Sequence, residues 1–201
     1  MSENLRENIK NRLEYSLIGD SRKAELQPLI DYIQNRINSD SGVNLNFICT
    51  HNSRRSQFSQ IWATLAASHY SIEANCFSGG VEVTEFNERA IASLKRSGFD
   101  ITKEGLVSPR YTIEIEGLQK PVLAYSKLVD APINPGSNFA AIITCSHADE
   151  NCPNIAGAEQ RIAVRYNDPK EFDDTEKEEY MYDERSNEIA TEMFYAFSKI
   201  K

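Results

Sequence analysis

An apolar run that ends in a thiol, Leu45-Asn46-Phe47-Ile48-Cys49, is followed by the polar segment Thr50-His51-Asn52-Ser53-Arg54 and then by Arg55-Ser56. Phe58, Ile61, Trp62, Leu65 and Ala66 recur at helical spacing directly afterwards. Buried strand, short loop and amphipathic helix therefore stand in that order, which commits the chain to a strand-loop-helix unit with the loop at the carboxyl end of the strand. Such a loop gathers backbone N–H groups and the positive end of a helix around one point, where an oxyanion is favoured. The same field favours thiolate over thiol at Cys49. Arg55 adds a planar fork of donors suited to two oxygens of a tetrahedral anion. Thr50, His51, Asn52, Ser53, Arg54, Arg55 and Ser56 are thus expected to bind an oxyanion against Cys49 as nucleophile. A cysteine at a strand end is commonly just core; the ordered company of strand, loop and helix favours the catalytic reading.

The rest of the chain repeats the alternation. A second strand is expected near 71–77, with Ile72, Ala74, Cys76 and Phe77, and Gly79-Gly80 are read as breaking it. A helix follows near 87–97, ending at Gly98. A third apolar run, Phe139 to Thr144, ends in Cys145, and a fourth, Arg161 to Val164, is short. Ile189, Met193 and Phe197 mark one face of a C-terminal helix, opened by Asp173, Asp174 and Glu176 as dipole partners and solvated surface. Strands alternating with helices predict an α/β fold: an open, flavodoxin-like parallel sheet of four strands, order 2-1-3-4, with helices on both faces.

Two decorations surround that core. Residues 1–42 read as an N-terminal helical extension, with Leu26, Leu29, Ile30, Ile33 and Ile37 on one face, Pro28 restricted to the first turn, and Gly42 at the stop. The main domain then spans 43–201. Within it, about 102–138 is an insertion: Tyr111, Ile113 and Ile115 alternate with polar residues, Gly117 to Pro121 gives a turn signal, and Val122 to Ser126 returns as a second strand. The expected β-hairpin could serve as a lid, an added sheet edge or a dimer contact.

Composition narrows the partners. A formal net charge of −8 over 201 residues, with no basic stripe, excludes a nucleic-acid backbone as partner. No apolar stretch is long enough to span a membrane, and Met1-Ser2-Glu3-Asn4 carries no signal-peptide pattern, so a cytoplasmic protein is expected. Four cysteines in such a chain are expected to be reactive or buried rather than a disulfide framework.

Three of them invite a relay. In an open parallel sheet, ligands bind beyond the carboxyl ends of the strands. With strands 1 and 3 adjacent, Cys49 and Cys145 emerge side by side, since neighbouring strands lie about 4.8 Å apart and a disulfide asks for roughly 4.4–6.8 Å between Cα atoms. Cys152 follows seven residues after Cys145; on an unbroken helix that interval is about 10 Å, so pairing those two requires the segment to bend or unwind. The order Cys49 to Cys145 to Cys152 is the expectation. Against it, Cys145 could be plain core, and Cys145, His147 and Cys152 could touch a metal, although the spacing is unlike common zinc patterns; no metal and no cofactor are expected. Cys76, without a polar loop beside it, reads as inert. Asp168, before Pro169 and just past the fourth strand, is the candidate acid for protonating a leaving oxygen, with a turn or cap role as its alternative.

These residues together resemble the low-molecular-weight tyrosine phosphatase superfamily, and within it the thioredoxin-coupled arsenate reductases. Cys49 through Ser56 matches the family loop Cys-x-x-x-x-x-Arg-Ser; Phe77-Ser78-Gly79-Gly80 and Asn87 to Ile91 are similar to its second strand and following helix. Cys145 to Pro153 is similar to the reductases' paired-cysteine segment, and Asp168-Pro169 to the shared acid. The likeness covers about 43–101 and 139–199. It implies that Cys49 attacks arsenate, Arg55 holds the oxyanion, and Asp168 assists loss of water. Cys145 then displaces arsenite, and Cys152 takes over the disulfide for thioredoxin. It also implies that Asn52 holds a strained turn and Ser56 hydrogen-bonds the nucleophile. The phosphatase branch implies the alternative, hydrolysis of phosphomonoesters through a phosphocysteine. A non-catalytic oxyanion-binding or redox-sensing module is the third reading. His51 stands where the family usually has Gly, Arg54 replaces a second loop cysteine, and Lys170-Glu171 replace the tyrosines with which phosphatases grip an aromatic ring.

Overall fold

The structure is a computed structural model, described here for residues 5, 9, 14–115, 118, 120–151 and 154–201. Most of 1–13, part of the 117–121 turn, and Cys152 lie outside the described residues. The elements in chain order are α1 (Asp20–Asn38), β1 (Val43–Cys49), α2 (Arg55–His69), β2 (Ala74–Gly80), α3 (Glu88–Arg96), β3 (Asp100–Glu104), β4 (Arg110–Glu114), β5 (Val122–Ala124), β6 (Phe139–Ile143), α4 (Ser146–Asn151), β7 (Ala158–Ala163) and α5 (Glu178–Ser198).

Four strands form one parallel sheet in the order β2-β1-β6-β7, the 2-1-3-4 arrangement expected. Strand period 2 divides its side chains between two layers. Leu45, Phe47, Ala140, Ile142 and Ile162 join a core that includes Leu26, Leu29 and Ile33 of α1, Phe58, Ile61 and Leu65 of α2, and Ile189, Met193 and Phe197 of α5. Ile48, Ala141 and Ile143 join a smaller cluster on the other face with Ala148 of α4. The sheet is therefore covered on both sides, as near-continuous apolar strands require.

Pro28 lies well inside α1, not in its first turn. The missing N–H leaves the Ala24 carbonyl without its helical partner, but Pro28 and Ala24 are both on the exposed face. Burial of Leu26, Leu29, Ile30 and Ile33 on the opposite side outweighs the loss. The chain leaves this helix through Asp40, with φ of 52°, so the stop is two residues earlier than Gly42.

Strand β2 is set three residues later than expected, and Gly79 and Gly80 are inside it. A Cβ on Gly79 would sit 2.5 Å from the Val129 Cα, and one on Gly80 would sit 2.6 Å from the Glu82 carbonyl oxygen and 2.8 Å from the Asn52 nitrogen. These glycines permit close backbone approach rather than ending the strand.

The insertion holds the expected antiparallel hairpin, β4 with β5, plus a strand that the pattern did not disclose: β3 pairs with β4 along Asp100↔Glu114 to Glu104↔Arg110. Tyr111, Ile113 and Val122 point into the main core, and the Phe86 and Tyr111 rings meet at 5.5 Å. Beyond β5 the chain runs against the end of β2: Gly80 N–H donates to the Lys127 carbonyl (2.8 Å) and Val129 N–H to the Gly80 carbonyl (2.9 Å). We call residues 125–129 the strap. No described helix is long and apolar enough to cross a membrane.

Candidate active site

The loop between β1 and α2 lies at the carboxyl end of the sheet. None of the backbone N–H groups from Thr50 to Ser56 donates to a protein acceptor among the described residues, and the buried Arg55 Nε has no partner among them either. Unpaired donors in a loop that follows a buried thiol favour an anion, because leaving such donors unmade is costly in a low-dielectric site.

The loop is braced from within and without. Asn52 takes φ of 48°, the only left-handed non-glycine residue in this loop, so His51 needs no glycine-like conformation. Asn52 Nδ2 donates to Ser56 Oγ (2.8 Å), and Ser56 Oγ lies 3.1 Å from Cys49 Sγ. From outside, the strap supplies Lys127 N–H to Asn52 Oδ1 (3.1 Å), Ser126 Oγ to the His51 carbonyl (2.7 Å), and the Tyr125 carbonyl as acceptor for Gln57 Nε2 (2.9 Å). Sequence reasoning missed the strap; a polar run after a hairpin gives no sign of what it will touch.

Arg55 is anchored at the far end of the sheet. Its Nη1 donates to the Tyr166 carbonyl (3.1 Å) and its Nη2 to Asp168 Oδ2 (2.5 Å). Asp168 is thereby paired with Arg55, and its other oxygen takes the cap role that the sequence allowed, accepting from Lys170 N–H (3.1 Å) at the start of the 3-10 turn Pro169–Phe172. Arg54 turns elsewhere. Its Nε donates to Tyr182 Oη (2.7 Å) and its Nη2 lies 3.4 Å from Asp173 Oδ2. Asp173 is therefore a buttress of the rim and not solvated helix surface, and α5 opens with Glu178 and Glu179 instead. An open cavity of about 490 Å³ adjoins the loop, lined by His51, Ser53, Arg54, Arg89 and Lys170 among others. A larger cavity, about 1160 Å³, sits at the opposite strand ends beside Val43 and Ala74, away from this chemistry.

The second thiol is close by. Register places Ile48 level with Ile143, so Thr144 is level with Cys49, and Cys145 is level with Thr50. Cys49 and Cys145 belong to one buried cluster, and both are free thiols. Cys145 Sγ lies 3.5 Å from Thr50 Oγ1 and accepts from Ala148 N–H (3.3 Å); Thr50 Oγ1 lies 3.2 Å from His147 Nδ1. Burial pushes the Cys76 thiol up to about 12, against a weaker pull from Thr64, in keeping with an inert strand residue. No group of three or more potential metal ligands occurs among the described residues.

Comparison with known proteins gives the same picture. No protein-family model matches the chain. An arsenate reductase of Bacillus licheniformis is 25% identical over 153 residues, 76% of this chain and 93% of that protein. One from Staphylococcus aureus strain Newman is 30% identical over 123 residues, 61% of this chain and 76% of that protein. In fold, the chain resembles the crystal structure of a low-molecular-weight phosphotyrosine phosphatase from Vibrio cholerae, with a TM-score of 0.53 at 13% identity, covering 78% of this chain and 95% of that one. With its parallel sheet, its Cys49–Ser56 loop and these relatives together, the chain belongs to the arsenate reductase family of enzymes and has the fold of the low-molecular-weight phosphotyrosine phosphatases.

Proposed function

We propose that the protein reduces arsenate to arsenite by a relay through Cys49, Cys145 and Cys152, recycled by thioredoxin in the cytosol, where thiols are kept reduced. The observation that carries the reading is the run of unpaired loop donors directly after Cys49, with a second buried thiol joined to the loop through Thr50. Cys49 thiolate attacks arsenic(V) and an oxygen leaves as water, with Asp168 supplying a proton and Arg55 and the loop amides holding the remaining oxygens. Cys145 thiolate then attacks Cys49 Sγ. The S–S bond forms, the As–S electron pair stays on arsenic, and arsenite departs. Cys152 attacks Cys145 in turn, freeing Cys49, and a thioredoxin dithiol reduces the Cys145–Cys152 disulfide. The relatives named arsenate reductase support the substrate.

The test is multiple-turnover arsenate reduction with thioredoxin and its reductase, run beside aryl phosphate hydrolysis, in the wild type and in Cys145→Ser. Arsenate turnover in the wild type that disappears in the variant is the expected result. Rapid phosphate hydrolysis with no arsenate turnover in the wild type replaces the relay with phosphomonoester chemistry.

A further inference from the structure

Cys145 can attack only as thiolate, yet its side chain is 1% exposed, so its proton needs a route out. One is built. Thr50, 9% exposed, has its hydroxyl within 3.5 Å of Cys145 Sγ and 3.2 Å of His147 Nδ1, and His147 is exposed to solvent. The three groups thus step from interior to surface through one rotatable hydroxyl, which can accept one hydrogen while donating another. Asp149, the described carboxylate on the same helix, is paired with Arg161 (2.5 Å) and Arg165 (3.5 Å). His147 is the base that Thr50 reaches.

We propose that His147 is the general base for Cys145, acting through Thr50. The inference rests on the thiol relay described above. The Cys145 S–H hydrogen passes to Thr50 Oγ1, the Thr50 hydrogen passes to His147 Nδ1, and the imidazolium releases a proton to water from Nε2. The sulfur keeps the S–H electron pair, held by the Ala148 N–H, and uses it to attack Cys49 Sγ. Once water has taken the proton, Thr50 and His147 are neutral again and the negative charge is on the Cys145 sulfur, from which the attack passes it to the departing arsenite.

The test is single-turnover formation of the Cys49–Cys145 disulfide after mixing with arsenate, followed by quenching and mass mapping in full-length Cys152→Ser, where that disulfide accumulates. His147→Gln in this background is expected to slow formation by about a hundredfold, and added imidazole is expected to restore the rate in proportion to its concentration. Thr50→Val, which removes the hydroxyl between base and thiol, is expected to be slow without rescue. An unchanged rate in His147→Gln overturns the inference, as does a slowed rate that imidazole leaves unmoved, which is the mark of a structural role. If Cys152→Ser itself forms no Cys49–Cys145 disulfide, the relay fails and this inference with it. A disulfide that forms at full rate without His147 removes this inference alone.

Discussion

Replacing Lys127 with methionine tests the energetics of the strap. Lys127 is 5% exposed, and among the described residues its ammonium meets only neutral groups: Ser78 Oγ at 3.2 Å, the Tyr125 carbonyl at 3.5 Å and the face of the Tyr125 ring at 4.9 Å. Burial pushes its pKa down from 10.5 to about 8. At 1.36 kcal/mol per pH unit, that opposes the charged folded form by about 3 kcal/mol at neutral pH. Below about pH 8 both folded and unfolded chains hold the proton, and the penalty is fully present. Between about 8 and 10.5 the folded chain releases it while the unfolded chain keeps it, so stability rises with pH in that window. Lys127→Met removes the titration, leaving Ser78 Oγ still bonded to Gln60 Oε1 (2.6 Å). The unfolding free energy of the variant minus that of the wild type should therefore fall by about 3 kcal/mol from pH 7 to above 10. Tyr15, Tyr32, Tyr166 and Tyr182, all pushed upward chiefly by burial, are common to both proteins and cancel. Urea unfolding of both proteins at four pH values measures the difference; a flat difference from pH 7 to 10 refutes the reasoning.

Gly80→Ala should destabilise the protein by about 2–4 kcal/mol and depress turnover with it, because the new methyl meets the backbone of Glu82, Asn52 and Thr50 rather than flexible side-chain tips; thermal melts and steady-state rates report the two losses. Arg55→Lys keeps the charge but cannot reach both the Tyr166 carbonyl and Asp168 while presenting a fork to the oxyanion, so kcat/KM should drop about a hundredfold with little change in melting temperature.

The loop was legible because its chemistry and its local structure are written in contiguous residues: a strand ending in Cys49, seven loop positions, and a helical stripe from Phe58 to Ala66. The sheet order expected of an open parallel sheet with strands 1 and 3 adjacent is the one observed. What escaped depended on contacts remote in sequence. The end of β2 was misplaced because a glycine pair usually punctuates, and only Val129 and Asn52, from other segments, explain why this pair does not. Pro28 was misjudged because its position on the exposed face of α1 depends on what the other face buries. Lys127 had no signal at all; an isolated lysine after a hairpin is ordinarily solvated.

The strap has a consequence for the order of biosynthesis. The backbone brace on Asn52 comes from a residue 75 positions downstream, as does the hydroxyl on the His51 carbonyl. A chain still emerging from the ribosome thus carries Cys49 before its cradle can set, so the sulfur acquires its braced geometry only after residues 126 and 127 have followed.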